Sequence, residues 1–84
     1  MTAMALQLTV KLYGTLDKWV PGYQHESGCV VHLQASSTVA DLIGQLGIPP
    51  RSVGIVSVNG RMARKADLLP DRAVVKVFHP IFGG

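Results

Sequence analysis

The fold is decided by the stretch Thr38-Val39-Ala40-Asp41-Leu42-Ile43-Gly44-Gln45-Leu46-Gly47, which carries a clear helix signal. Thr38 can act as the N-cap, and Asp41 stands three residues later in a capping-box arrangement. Gly47 ends the pattern, and Pro49-Pro50 prevents the helix from resuming. Four apolar residues at i, i+3, i+4 and i+7 share one face: Val39, Leu42, Ile43 and Leu46. The stretch therefore predicts a short amphipathic helix.

Two strand signals precede this helix. Apolar residues alternate with polar ones from Leu6 to Leu12, which is the period of a half-buried strand. A long polar connection with turn residues runs from Gly14 to Gly28. Alternation resumes from Cys29 to Gln34, with Cys29, Val31 and Leu33 predicted to face inward.

The remaining strand signals follow the helix. A mostly apolar run, Ile55–Val58, leads into Asn59-Gly60, which is a strong two-residue hairpin signal. The chain returns through Arg61-Met62-Ala63, and a last strand spans Val74–Phe78 with Val75 and Val77 on one side. This order predicts an α+β fold of the β-grasp, or ubiquitin-like, type, in which one helix covers a mixed sheet of four to five strands.

Length and composition limit the function. With 84 residues the chain forms one small domain, which is too small to carve a deep catalytic cavity, so we expect no self-sufficient enzyme. The hydrophobic fraction of 48% and charged fraction of 15% argue against disorder. The formal net charge of +3 is far below that of a dedicated nucleic-acid binder.

Few residues suggest redox or metal chemistry. The single cysteine, Cys29, cannot form an intramolecular disulfide and is expected to pack as a small hydrophobic residue. His25, His32 and His79 are too scattered for a metal site, and Trp19 and Tyr23 are expected to anchor local packing. The absence of a secretion signal and of a long apolar run predicts a cytoplasmic protein without a membrane span. We also expect no bound cofactor.

The last seven residues, Phe78-His79-Pro80-Ile81-Phe82-Gly83-Gly84, carry the functional signal. The strand pattern stops at Phe78, which predicts a domain over residues 1–78 and a flexible tail over residues 79–84. Fully extended, the tail reaches roughly 20 Å, long enough to enter a partner's channel. Glycines at its end would pass where a channel closes around bare backbone.

The terminal carboxylate of Gly84 is the predicted reacting group. ATP-dependent adenylation in a partner enzyme would turn it into an acyl group with a good leaving group, open to a sulfur or nitrogen nucleophile. Phe78, Ile81 and Phe82 form an apolar group expected to dock on a partner, although Phe78 equally suits ordinary sheet packing. Arg61, Arg64 and Lys65 form a basic patch that suits either a solvated face or an acidic partner.

These motifs resemble the ubiquitin-like sulfur carriers of cofactor biosynthesis, the MoaD and ThiS family. The matching pieces are Thr38-Val39-Ala40-Asp41-Leu42, Val58-Asn59-Gly60, the turn from Leu69 to Asp71, and Phe78 to Gly84. The resemblance implies that a ubiquitin-activating-type adenylyltransferase adenylates Gly84, which a persulfide sulfur donor then converts to a thiocarboxylate. It also implies that Gly83, Phe82, Ile81, Pro80 and Phe78 contact the partners.

The resemblance leaves the sulfur acceptor open. Pro80 followed by Ile81 is similar to the ending of the MoaD branch, in which the tail enters the large subunit of molybdopterin synthase. In the ThiS branch the acceptor is thiazole synthase, in thiamine biosynthesis. Phe82 departs from the family, because the residue before the two glycines is usually small. Two other functions stay open: a protein modifier that uses the same activation but ends in an isopeptide bond, and, in a different class, a β-grasp RNA-binding module that acts through the basic patch and does not need Gly83-Gly84.

Overall fold

A computed structural model describes residues 5–80. Five strands form one sheet in the spatial order β2-β1-β5-β3-β4. The strands are β1 (Ala5–Leu12), β2 (Cys29–Gln34), β3 (Val56–Val58), β4 (Arg61–Ala63) and β5 (Val74–Val77). The helix α1 (Val39–Leu46) lies between β2 and β3 in the chain, and short 3₁₀ helices span Leu16–Trp19 and Pro50–Ser52. The predicted β-grasp architecture is confirmed.

Strand pairing joins distant parts of the chain at the centre of the sheet. β1 is antiparallel to β2 but parallel to β5, with Val10 opposite Val75 and Leu12 opposite Val77. β3 is antiparallel to both β4 and β5. The sheet is therefore mixed, as predicted, and its central strand is the last one in the sequence.

The core lies on the helix side of the sheet. The alternating residues Leu6, Leu8, Val10 and Leu12 of β1 are all buried, as the period-2 pattern predicts. Val75 and Val77 of β5 have no exposed surface, and α1 adds Val39, Leu42 and Ile43 to the same buried cluster. Burial of these side chains supplies the main favourable free energy of folding.

The ends of α1 follow the sequence signals. Thr38 Oγ1 accepts the backbone N–H of Asp41 at 3.2 Å, and Asp41 Oδ2 accepts the backbone N–H of Thr38 at 2.9 Å. This reciprocal pair is a complete capping box. Gly47 ends the helix in the left-handed conformation, at φ 75°.

The Asn59-Gly60 turn joins β3 to β4 as predicted. Both residues have positive φ, 51° for Asn59 and 84° for Gly60, which the tight turn of a two-residue hairpin requires. Asn59 also ties the hairpin to β5, because its Oδ1 accepts the backbone N–H of Val74 at 2.9 Å.

Two short helices depart from the sequence prediction. The segment from Gly14 to Gly28 reads as an irregular connection, but it contains the 3₁₀ helix Leu16–Trp19, whose Leu16 is fully buried. The 3₁₀ helix Pro50–Ser52 begins at a proline, which suits a first helical position. Within residues 5–80, no helix is long and apolar enough to cross a membrane.

Candidate docking site around the end of the last strand

An aromatic pair marks the end of β5 on the sheet face opposite α1. The rings of Tyr13 and Phe78 stack with centroids 4.8 Å apart and planes 11° apart. Parallel pairing places them side by side, because Leu12 is opposite Val77 and the backbone N–H of Tyr13 donates to the Val77 carbonyl at 3.0 Å. Tyr13 is 38% exposed and Phe78 is half-buried, so one side of the stack faces solvent.

Apolar and basic side chains surround this pair. On the same face, Lys11 is opposite Lys76 across the β1–β5 pair. Ile55 and Met62 add apolar surface at the β3–β4 end, with exposed fractions of 51% and 76%. We call the set Tyr13, Phe78, Ile55, Met62, Lys11 and Lys76 the outer-face patch.

The charge of the outer-face patch is uncompensated. In the described part of the chain, the ion pairs within 4.0 Å join His25 to Asp17 and Arg72 to Asp71. The ammonium groups of Lys11 and Lys76 therefore have no carboxylate partner there. An exposed apolar surface with a cationic edge fits a partner surface that is apolar and acidic.

The backbone after Phe78 is held by hydrogen bonds and close packing. The N–H of Phe78 donates to the Ile55 carbonyl at 2.8 Å, and the N–H of Gly54 donates to the Phe78 carbonyl at 2.7 Å. A Cβ added to Gly54 would lie 2.8 Å from Pro80 Cα, and one added to Gly14 would lie 2.6 Å from His79 Cβ. Two glycines thus make room for His79 and Pro80.

A cleft lies beside this anchored segment. Its volume is about 310 Å³, and His79 and Pro80 form part of its wall. Lys18 and Arg51 bring two cationic side chains to it, and Trp19 contributes its indole. The Trp19 Nε1–H is buried without a hydrogen-bond partner among the described residues, and Lys18 Nζ lies 5.4 Å from the ring centroid.

The structure covers only part of the predicted partner-binding set. Phe78 stacks on Tyr13, so it takes part both in sheet packing and in the outer-face patch. Pro80 lies against Gly54 at the edge of the domain. Ile81, Phe82, Gly83 and Gly84 lie outside the described residues, and their roles stay predictions. The domain boundary predicted at Phe78 also stays a prediction.

The basic patch of the sequence is divided in space. Arg64 and Lys65 line a groove beside α1, whereas Arg61 lies on β4 and does not line that groove. All three side chains are exposed. The geometry therefore separates two of these cations from the third.

The other residues named from the sequence, Cys29, Trp19 and Tyr23, pack against the core. Cys29 is half-buried and packs against the core, and burial raises the pKa of its thiol. The Tyr23 hydroxyl accepts the backbone N–H of Leu12 at 2.7 Å, and Trp19 and Tyr23 both pack on the core, as predicted. Within residues 5–80, no three His, Cys, Asp or Glu side chains are grouped to hold a metal ion.

Of the six residues of the outer-face patch, sequence reasoning proposed only Phe78 for docking and missed the other five: Tyr13, Ile55, Met62, Lys11 and Lys76. Tyr13 could have been found by continuing the alternation of β1 one step past Leu12, which places it on the face of Lys11. Ile55 and Met62 could not have been found from sequence, because their exposure depends on the register of β3 and β4. A one-residue slip in that register reverses which face a side chain occupies.

Comparison with known proteins gives a family and a fold. The model of the family described as Mut7-C ubiquitin matches residues 5–82 of the chain. A search of curated protein sequences finds no match.

Three solved structures share the fold at low sequence identity. The Haloferax volcanii HVO 2177 protein is 24% identical, with a TM-score of 0.74 over 95% of this chain and 88% of that one. Small archaeal modifier protein 1 of H. volcanii is 16% identical, with a TM-score of 0.70 over 90% and 99% of the two chains. A Pyrococcus furiosus protein described as a putative molybdopterin converting factor, subunit 1, is 20% identical, with a TM-score of 0.69 over 90% and 99%. The predicted resemblance to ubiquitin-like carriers is confirmed for the fold.

Proposed function

The chain belongs to the Mut7-C ubiquitin family, and from this premise we propose that it is a ubiquitin-like sulfur carrier whose Gly84 is activated by a partner enzyme. The observation that carries the proposal is the position of Phe78. This residue directly follows the central strand, stacks on the exposed Tyr13 ring and leads into the segment that finishes with Gly83-Gly84. One partner can therefore hold the outer-face patch and receive the segment that follows it.

The chemistry belongs to the last residue and to the partners. The carboxylate of Gly84 attacks the α-phosphate of ATP in an adenylyltransferase, giving an acyl-adenylate and pyrophosphate. A persulfide attacks the acyl carbon through its terminal sulfur, and AMP leaves. A thiol then reduces the resulting acyl disulfide and frees the thiocarboxylate. The chain acts as a protein co-substrate with no resident cofactor, and the partner consumes the ATP.

The proposed acceptor is the precursor of molybdopterin. Two features support it: the fold shared with the P. furiosus protein described as a putative molybdopterin converting factor subunit, and the Pro80-Ile81 sequence before the last aromatic residue. The large subunit of molybdopterin synthase would hold the outer-face patch. Thiazole synthase is the corresponding partner if the sulfur goes to thiamine.

Mass spectrometry of the intact chain tests the proposal. The chain is incubated with a candidate adenylyltransferase, ATP and a persulfide donor, and conversion of the carboxylate to a thiocarboxylate raises the mass by roughly 16 Da. A chain lacking Gly83-Gly84 is the negative control. If no adenylyltransferase from the source cell produces the gain, the sulfur-carrier proposal is wrong.

The outer-face patch is tested in the same assay with charge reversal. We expect Lys76→Glu to raise the KM for the carrier while leaving kcat nearly unchanged, because Lys76 belongs to the proposed docking surface on the sheet and is not the reacting group. Arg72→Glu is the matched control, since Arg72 is exposed but lies outside the patch. Equal KM values for the two variants would show that the outer-face patch does not contribute to binding the partner.

A second candidate, protein modification, is supported by the fold shared with small archaeal modifier protein 1. It uses the same acyl-adenylate but ends in an amide bond to a lysine of another protein. The chain has no arginine or lysine after Lys76, so trypsin would leave a long branch ending in Gly83-Gly84 on the modified lysine. Detection of that branch would favour modification, and recovery of thiocarboxylate alone would favour sulfur transfer.

A further inference from the structure

A second concave site lies on the other side of the sheet, between α1 and β4. It is a groove of about 320 Å³, within the range of sites that bind small molecules. Its walls are mainly aliphatic, with Val39 and Ile43 on the helix and Ile48, Val53 and Val56 on the opposite side. None of these residues belongs to the outer-face patch.

Small residues on the helix keep the groove open. Ala40 and Gly44 line it, and a Cβ added to Gly44 would meet no atom within 4 Å. Because neither side chain fills the space, the aliphatic core residues Val39 and Ile43, which are 1% and 5% exposed, form the floor of the recess, and the half-buried Val53 forms part of its wall. A larger side chain at either position would fill this recess in the helix surface.

The opposite rim is tied to the helix, so the groove is preformed. The backbone N–H groups of Ala40 and Val39 donate to the carbonyls of Lys65 and Asp67, each at 3.0 Å. Asp67 Oδ2 accepts the backbone N–H of Arg64 at 2.8 Å. These bonds fix the backbone that carries Arg64 and Lys65. A ligand would therefore bind here without the entropy loss of ordering a loop.

Arg64 and Lys65 give this rim a positive charge. Neither side chain has a carboxylate within 4.0 Å among residues 5–80, where the ion pairs involve His25 and Arg72 instead. The Asp67 carboxylate accepts the backbone N–H of Arg64 and forms no ion pair with its guanidinium within 4.0 Å. An apolar recess thus meets, at its mouth, two cations that form no ion pair within the described part of the chain.

We propose that the groove binds a small amphipathic carboxylate, with its hydrocarbon body against Val39, Ile43 and Val53 and its carboxylate beside Arg64 and Lys65. Both parts of this ligand are argued from the site: aliphatic walls favour hydrocarbon, and two unpaired cations favour an anion. The proposal goes beyond the sulfur-carrier function, and it does not require that function.

Ligand binding in the groove would affect the segment that follows β5. Gly54 lines the groove on one side and packs against Pro80 on the other. A ligand that shifts Gly54 therefore shifts the segment that leads to Gly84. Since the outer-face patch lies on the opposite face of the sheet, ligand and docking partner can bind at the same time.

Titration of the ¹⁵N-labelled chain with decanoate tests the proposal, with decylammonium as the probe of opposite charge. We expect saturable shifts of the Ala40, Gly44, Gly54 and Lys65 amides with decanoate, and binding of decylammonium weaker by roughly tenfold. Shifts centred on the outer-face patch, equal affinity for the two probes, or no saturable shift would each overturn the proposal.

Two pairs of variants separate the groove from general hydrophobicity and charge. Gly44→Leu fills the recess and is expected to weaken decanoate binding by roughly tenfold or more, whereas Gln45→Leu, on the same helix but outside the groove, leaves it unchanged. Reversing Arg64 and Lys65 to Glu is expected to weaken it by roughly three- to tenfold, and Arg61→Glu is the matched control. A peptide that displaces decanoate with higher affinity would reassign the groove to a protein partner and overturn the small-molecule proposal.

Discussion

Replacing Gly54 with alanine would test the close packing that anchors the segment after β5. The added Cβ would lie 2.8 Å from Pro80 Cα and 2.9 Å from Pro80 N. Carbon atoms in favourable contact are roughly 3.5 Å or more apart, so the two backbones must separate by roughly 0.7 Å. The atoms in the way belong to the backbone, which cannot rotate aside as a side chain can.

The hydrogen bonds around Phe78 make this separation costly. Its carbonyl accepts the N–H of Gly54 at 2.7 Å, and its N–H donates to Ile55 at 2.8 Å, two residues before the clash. We expect Gly54→Ala to lower the free energy of unfolding by about 1–3 kcal/mol, the usual cost of overpacking. In a domain of this size each 1 kcal/mol corresponds to roughly 4–8 °C in Tm.

Urea denaturation and thermal unfolding measure the effect, and Gly44→Ala provides the matched control. Gly44 lies in α1, where an added Cβ meets nothing within 4 Å. The same change should therefore stabilise the protein there, by about 0.5–1 kcal/mol, because alanine loses less backbone entropy in a helix. If Gly54→Ala matches or exceeds the wild type in stability while Gly44→Ala behaves as expected, the packing of Pro80 on Gly54 is refuted.

Three further predictions concern local contacts. Asn59→Ala should cost about 1–2 kcal/mol in urea denaturation, and Asn59→Gly less, since glycine keeps the positive φ and loses only the bond from Val74; a larger cost for glycine would contradict this. Thr38→Ala and Asp41→Ala should each cost roughly 1 kcal/mol, and less together than their sum because they form one capping box, so additive costs would argue against the reciprocal bonds. Burial raises the pKa of the Cys29 thiol, so iodoacetamide should alkylate it more slowly in the native state than in urea at the same pH. The sign for stability follows: the unfolded thiol ionises at lower pH, so this contribution is present below the unfolded pKa and is lost as pH rises, and native-state alkylation as fast as in urea would contradict the burial.

The elements predictable from sequence were those whose signals are local. The capping pair Thr38 and Asp41 and the turn Asn59-Gly60 depend on the backbone of adjacent residues, and both occur where the sequence places them. The alternation in Leu6–Leu12 depends on one face being buried, which β1 shows residue by residue. These signals, taken in order, were sufficient for the β-grasp prediction.

The features that were missed depend on tertiary context. No periodicity marks Leu16–Trp19, because this short helix is stabilised by the burial of Leu16 and not by an amphipathic pattern. The stack of Tyr13 on Phe78 joins residues far apart in sequence, and it required the parallel register of β1 and β5. The groove beside α1 exists because Ala40 and Gly44 have side chains too small to fill it. Small residues on a helix carry no sequence pattern that would predict a groove.

The placement of β5 has a mechanical consequence. Four residues of β5 pair in parallel with β1 on one side, while β3 pairs with it on the other. A partner enzyme that grips the chain beyond Phe78 and pulls along the strand loads these hydrogen bonds in shear, all at once, and cannot peel them apart one after another as at a sheet edge. The domain can therefore withstand tension applied at Phe78, as it would have to if a partner drew the following residues into a channel as proposed.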